Sequence, residues 1–330
     1  MILLSIINFL TNEKILPILI STVTTIIVFF LTLLTKNYIE TKVLRSKLDT
    51  EHKFDQRKKI KEVLAKYKVH LLTACEDFNH RMWNFSNKHQ EKWLEVNVDY
   101  LNKHYYFDSF VYRHLAIFAW TKKIQKEMIF LDTTIAGKAD LEFVKFLNVF
   151  SRMFCDLTFI EGLNANGNKT DDHFFRNEFD LFADSLITET GVKSFSEYLD
   201  DINNIAPKIN RLFLFFDSLS PNEERKRWDR LHFFHLTILM FLNNYGYDFQ
   251  ITNNEKLEQV LTSPKKSSYL DNYFLFLKEY HLTDNKQIKI LKKIAKKVKK
   301  KGPLTTYWKN NNLKEKLKIL ASKLFTITKS

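Results

Sequence analysis

Between Lys14 and Lys36 the chain carries no charged residue for 21 positions, ILPILISTVTTIIVFFLTLLT. At the α-helical rise such a run reaches roughly 31 Å, against about 30 Å for the hydrocarbon core of a bilayer. A transmembrane helix over residues 15–35 is therefore expected. A cleavable secretory signal would have a short apolar core ending in small residues, whereas this run exits into Lys36, Asn37 and Tyr38. Pro17 falls in the first turn, where its missing N–H costs least, and threonines on the span can bond back to helix carbonyls. The apolar stretch Met1 to Leu10 is too short to cross alone, so residues 1–14 read as an interfacial segment.

Flanking charge sets the orientation. Lys36, Lys42, Arg45 and Lys47 follow the span, against Lys14 beside Glu13 and the amino terminus before it. The positive-inside rule then places the C-terminal portion in the cytoplasm. Cysteine usage agrees, since Cys75 and Cys155 form no Cys-x-x-Cys pair and no even framework. Both lie among core-type residues, which favours buried structural thiols over reactive ones.

Residues 36–59 are mostly polar, with Val43, Leu44, Leu48 and Phe54 scattered among them, and read as a helical stalk of the kind that pairs as a coiled coil. Beyond it the chain is large enough for a core of its own. It has 6 Gly and 5 Pro against 30 Phe, and its apolar residues recur at helical spacing. The series Ile60, Val63, Leu64, Tyr67, Leu71, Ala74, Phe78 and Met82 marks a core-facing helix. Phe107, Phe110, Val111, His114, Ile117, Phe118, Ile124 and Met128 mark a second. Further stripes run over Phe143, Phe146, Leu147, Phe150, Phe154 and Leu157, and over Phe175, Phe179, Phe182 and Leu186. The pattern continues from Ile202 to Phe216, with Pro207 expected to open a new helix, and Ser220-Pro221 to cap and open the next, which carries Trp228, Leu231, Phe234, His235, Ile238 and Leu242. An all-α cytosolic bundle over residues 60–284 is the expectation. Phenylalanines at helical spacing are read as core rather than as a lipid or cofactor pocket.

Charge is concentrated at the C-terminal end. Residues 285–330 hold 15 Lys and one acidic residue, Glu315; with +13 on the whole chain, the first 284 residues sum to −1. Within this region Ile290, Leu291, Ile294 and Val298 share one side of a helix. Lys292, Lys293, Lys296, Lys297, Lys299, Lys300 and Lys301 dominate the rest. After Gly302-Pro303 follow Tyr307, Trp308 and a second amphipathic stretch with Leu313, Leu317, Leu320 and Leu324. Three readings compete: a clamp for anionic lipid, a helix-turn-helix arm for nucleic acid, and a solvated tail. Lysine without arginine weakens base readout and favours the lipid.

Leu157 to Thr170 imitates an apolar strand followed by a P-loop, with Leu212 to Asp217 as a second, magnesium-binding strand. The P-loop requires Gly-Lys-Ser/Thr in succession, and Asn168 intrudes before Lys169 and Thr170. A polar interhelical loop is the better account. His232 and His235 lie three apart and Asp171-Asp172-His173 offers further donors, but no third ligand or Glu-x-x-His partner completes a metal site. Neither a metal nor a cofactor is expected, and His114 and His235 read as core histidines.

The stretch Tyr105 to Asp132, with Ser109, Tyr112-Arg113, Phe118-Ala119-Trp120 and Phe130-Leu131-Asp132, together with Phe175-Arg176-Asn177-Glu178, resembles a loose group of uncharacterised bacterial proteins with one N-terminal span and a helical cytosolic domain. The resemblance implies no activity. It singles out Tyr112, Arg113, Trp120, Asp132, Arg176 and Glu178 as candidates for a shared buried network, against ordinary helix-helix hydrogen bonding. The expectation is a single-pass membrane protein with a recognition, sensor or scaffold role and no catalysis. Its partners would be the bilayer, anionic lipid or nucleic acid at the basic region, and a protein or second copy through stalk and bundle. The alternatives are a membrane effector of an antiphage, abortive-infection system and, third, a degenerate P-loop ATPase.

Overall fold

The structure, a computed structural model, describes residues 16–102, 104–160, 172–223, 225–264 and 268–300. Among these it is all-α, with ten helices and no strand. They are α1 (Leu16–Lys88), α2 (Tyr105–Glu127), α3 (Lys138–Cys155), α4 (Arg176–Asp184) and α5 (Phe195–Asp200). There follow α6 (Ile202–Phe216), α7 (Arg227–Tyr245), α8 (Asn254–Leu261), α9 (Ser268–Glu279) and α10 (Lys286–Lys300). Two units divide between Lys59 and Ile60.

In the first unit the apolar side chains of α1 have no neighbours to bury them. Ile20, Val23, Ile26, Phe29, Phe30 and Leu34 are exposed around the helix. Among the described residues this is the one helix long and apolar enough to cross a membrane, and none of its apolar window is buried. Its threonines hide their hydroxyls on the backbone: Thr22, Thr24, Thr25, Thr32 and Thr35 each donate to the carbonyl four residues back at 2.7–2.8 Å. That pairing suits a polar side chain in an apolar surrounding. Farther on, exposed i,i+4 pairs join Lys36 to Glu40, Lys47 to Glu51 and Lys53 to Asp49.

The second unit is a bundle around α7. Every residue of α7 from Arg227 to Leu242 is buried, so this helix is surrounded rather than amphipathic. Phe234 at its middle meets Phe78 of α1, Phe118 of α2, and Phe150 and Phe154 of α3 at ring separations of 5.1–6.1 Å. Helices α3, α8 and α10 pack on α7, while α2 packs on α3 through α6. Each aromatic stripe thus supplies one wall of a single core.

Five local expectations need correction. Leu157 lies past the end of α3 and is exposed, and Phe175 is the residue before α4, also exposed. Pro207 sits inside α6, which starts at Ile202; the carbonyl its missing N–H would have met belongs to exposed Asn203, where water can satisfy it. Ser220 accepts from the Asn222 N–H in a local turn, and α7 begins only at Arg227. Cys75 is buried but Cys155 is half-buried; burial lifts both thiols, Cys155 to about 12, so neither is a thiolate at neutral pH.

Candidate functional site

The basic helix α10 is built into the bundle. Asn285 caps it, accepting from the N–H groups of Gln287 and Ile288 at 2.9 and 3.3 Å, and its amide donates to Glu142 of α3 at 3.0 Å. Ile288, Leu291, Ala295 and Val298 are buried, while Ile290 and Ile294 are half-buried; the spacing anticipated the face but not Ile288 and Ala295. The helix before it ends in a left-handed cap at His281 (φ 54°), with Leu282 N–H on the Leu277 carbonyl and His281 N–H on that of Lys278. That reversal lays α10 against α9.

Between α9 and α10 runs a groove of about 480 Å³. Leu270, Phe274, Leu275 and Ala295 supply apolar lining, and Lys278, Lys292, Lys296 and Lys299 supply four ammonium groups against one carboxylate, Asp271. Of the predicted lysines, Lys292, Lys296 and Lys299 meet here. Lys293 and Lys297 are exposed on α10 but do not line the groove. The side chain of Lys300, and Lys301 with all that follows, lie outside the described residues. Lys278 and Phe274 escaped the sequence reading because α9 has no charge run of its own; Lys278 in its last turn was the available signal.

The six residues singled out by resemblance fall into separate contacts. The Tyr112 hydroxyl donates to the Lys193 carbonyl at 2.8 Å, and burial, with Asp77 nearby, pushes its phenol up to about 12. Arg113 donates to the Ser109 carbonyl at 3.3 Å. Trp120 stacks on His70 with ring centres 4.7 Å apart. Asp132 accepts from the Thr134 N–H and hydroxyl. Glu178 pairs with Arg211 at 2.5 Å, and Arg176 is exposed.

Two buried arginines, Arg227 and Arg230, were missed because they belong to the charged segment 223–230, which reads as solvent-facing. Arg227 donates to the carbonyls of Leu214, Phe215 and Asp217, closing the C-terminal end of α6. Arg230 donates to those of Phe154 and Asp172. His232 bridges the Trp228 carbonyl and Ser86, while His235 meets Asn79 at 2.8 Å. Among the described residues no group of three His, Cys, Asp or Glu side chains could hold a metal ion. Lys169 and Thr170 lie outside them; Thr158–Ile160 is a 3₁₀ turn and Leu212 to Phe216 is helical, so neither imagined strand exists.

No family model, curated protein or solved structure matches the chain.

Proposed function

We propose that the protein is a single-pass anchor of a bacterial inner membrane whose cytoplasmic bundle recognises anionic lipid through the groove between α9 and α10. The observation that carries this reading is the groove itself, where four lysines surround an apolar lining. Each lysine near an anionic surface adds about 1 kcal/mol, and an apolar floor offers acyl chains a contact that a bare charge run lacks. The bundle acts as a recognition or scaffold unit rather than as an enzyme. The exposed apolar surface of α1 supports the anchor, and the lysines and arginine after it support the orientation.

The test uses residues 36–330. This fragment should sediment with phosphatidylglycerol vesicles and not with phosphatidylcholine vesicles, and changing Lys278, Lys292, Lys296 and Lys299 to Glu should abolish the effect. Tight, salt-sensitive binding to DNA or RNA without vesicle binding would replace the lipid with nucleic acid. A C-terminal reporter on the full chain should be active only in its cytoplasmic form.

A further inference from the structure

A second cavity, of about 260 Å³, shares no lining residue with the groove. Its walls come from the last turn of α1, the segment 92–95, the first turn of α2 and the segment 218–220. Trp93, 41% exposed, tilts against Tyr106 with ring centres 4.7 Å apart. The Lys88 ammonium lies 5.5 Å from the Trp93 ring centre, and Lys92 pairs with Glu95 at 3.0 Å. Ser218 and Ser220 add hydroxyls, and Phe85, Leu94 and Leu219 add apolar contact.

The backbone around this cavity is held in costly conformations. Five non-glycine residues among those described have left-handed φ; Lys92 and Ser218 line the cavity, and Asn97 and Val98 follow in the connection between α1 and α2. Val98, at φ 68°, is β-branched and so the most strained. The surroundings enforce it. Asp217 accepts from the N–H groups of Val96 and Val98 at 3.2 and 2.9 Å and from the Tyr100 hydroxyl at 3.1 Å, while Ser218 N–H donates to the Leu94 carbonyl at 2.9 Å. Strain that is over-determined in this way concentrates at ligand clamps.

We propose that this cavity binds a small anion carrying one planar ring, the ring on Trp93 and the charge at Lys88 and Lys92. An indole face is a stacking platform for any planar ring, and two ammonium groups beside it suit one phosphate or carboxylate. The volume falls below the roughly 300–1,000 Å³ of sites for larger ligands, so one ring and one anionic group fill it. Glu95 opposes binding by holding Lys92.

The full chain in phosphatidylcholine nanodiscs is titrated calorimetrically with phenyl phosphate, which is one ring and one phosphate, and separately with phenol and inorganic phosphate. Phenyl phosphate should bind about tenfold or more tightly than either part. The double variant Lys88→Ala, Lys92→Ala and the single variant Trp93→Leu should each weaken it by about tenfold, and Glu95→Gln should tighten it. All four side chains are exposed, so the unfolding midpoint should stay put and certify the fold. No heat with phenyl phosphate at millimolar concentration, inorganic phosphate binding as tightly as phenyl phosphate, or variants that bind like the parent would each overturn the assignment.

Discussion

The ammonium of Lys299 lies 2.5 Å from the carboxylate of Asp271, joining α10 to α9 across the lysine-lined groove. Both side chains are well exposed, so the pair contributes little to stability. Its larger effect is on the field, since Asp271 is the one carboxylate among the lining residues. Asp271→Asn should strengthen binding to phosphatidylglycerol vesicles by about threefold to fivefold while shifting stability by less than about 0.5 kcal/mol. A vesicle titration beside a urea melt checks both.

Asp217 is a hub whose carboxylate serves two chain segments. Burial works against its ionisation, but the Val98 N–H, Ser218 hydroxyl, Val96 N–H and Tyr100 hydroxyl together hold it below the usual carboxylate range. A depressed carboxylate contributes stability in full above its unfolded value, near 4, and loses it as pH falls through the folded value. Asp217→Ala should cost about 2–3 kcal/mol at pH 7, because it strands buried donors. The deficit relative to the parent should shrink below about pH 4. Urea unfolding at pH 7 and pH 3 measures the difference.

The histidines in the aromatic core predict acid sensitivity. Burial pushes His114 down to about 3 and His232 to about 4, and takes His235 well below its ordinary value. For a base lowered by folding, stability is complete above the unfolded value near 6.5 and drains away as pH falls toward the folded one. His114 is packed on Phe78, Phe110 and Phe216, and its Nε2 has no partner. His114→Phe should therefore remove up to about 1.4 kcal/mol per pH unit from the slope between pH 6 and pH 4. An unchanged slope would show that His114 does not contribute to it.

Gly246 ends α7 where a side chain does not fit. A Cβ there would lie 2.6 Å from the Leu242 carbonyl oxygen and 2.7 Å from Gln250 Oε1. Gln250 cannot retreat freely, because it accepts from the Tyr247 N–H and donates to Glu76 at 2.6 Å. Gly246→Ala should destabilise by about 1–3 kcal/mol in a urea melt.

The helical stripes were legible because apolar periodicity reports directly which side of a helix is buried: Ile60 to Met82 and Phe107 to Met128 have the core faces their spacing predicts. Starts and stops were less so. Pro207 and Pro221 resemble helix openers, yet α6 is extended backward by the buried Ile205 and Ala206, and α7 is delayed by the Arg227 contacts to α6. Lys292, Lys296 and Lys299 could be named from their run, but the groove they line needs Leu270, Phe274 and Lys278, which only the turn at His281 brings alongside. The Trp93 cavity lay hidden for the same reason, since Ser218 reaches it from more than a hundred positions away.

Amine acetylation of the full chain in nanodiscs, read lysine by lysine by mass spectrometry, tests the lipid reading most directly. With phosphatidylglycerol present, Lys278, Lys292, Lys296 and Lys299 should be protected at least about threefold relative to phosphatidylcholine alone, and the protection should fade in high salt. Exposed Lys208 on α6 serves as the reference. Equal acetylation of the four groove lysines in both lipids would contradict the account.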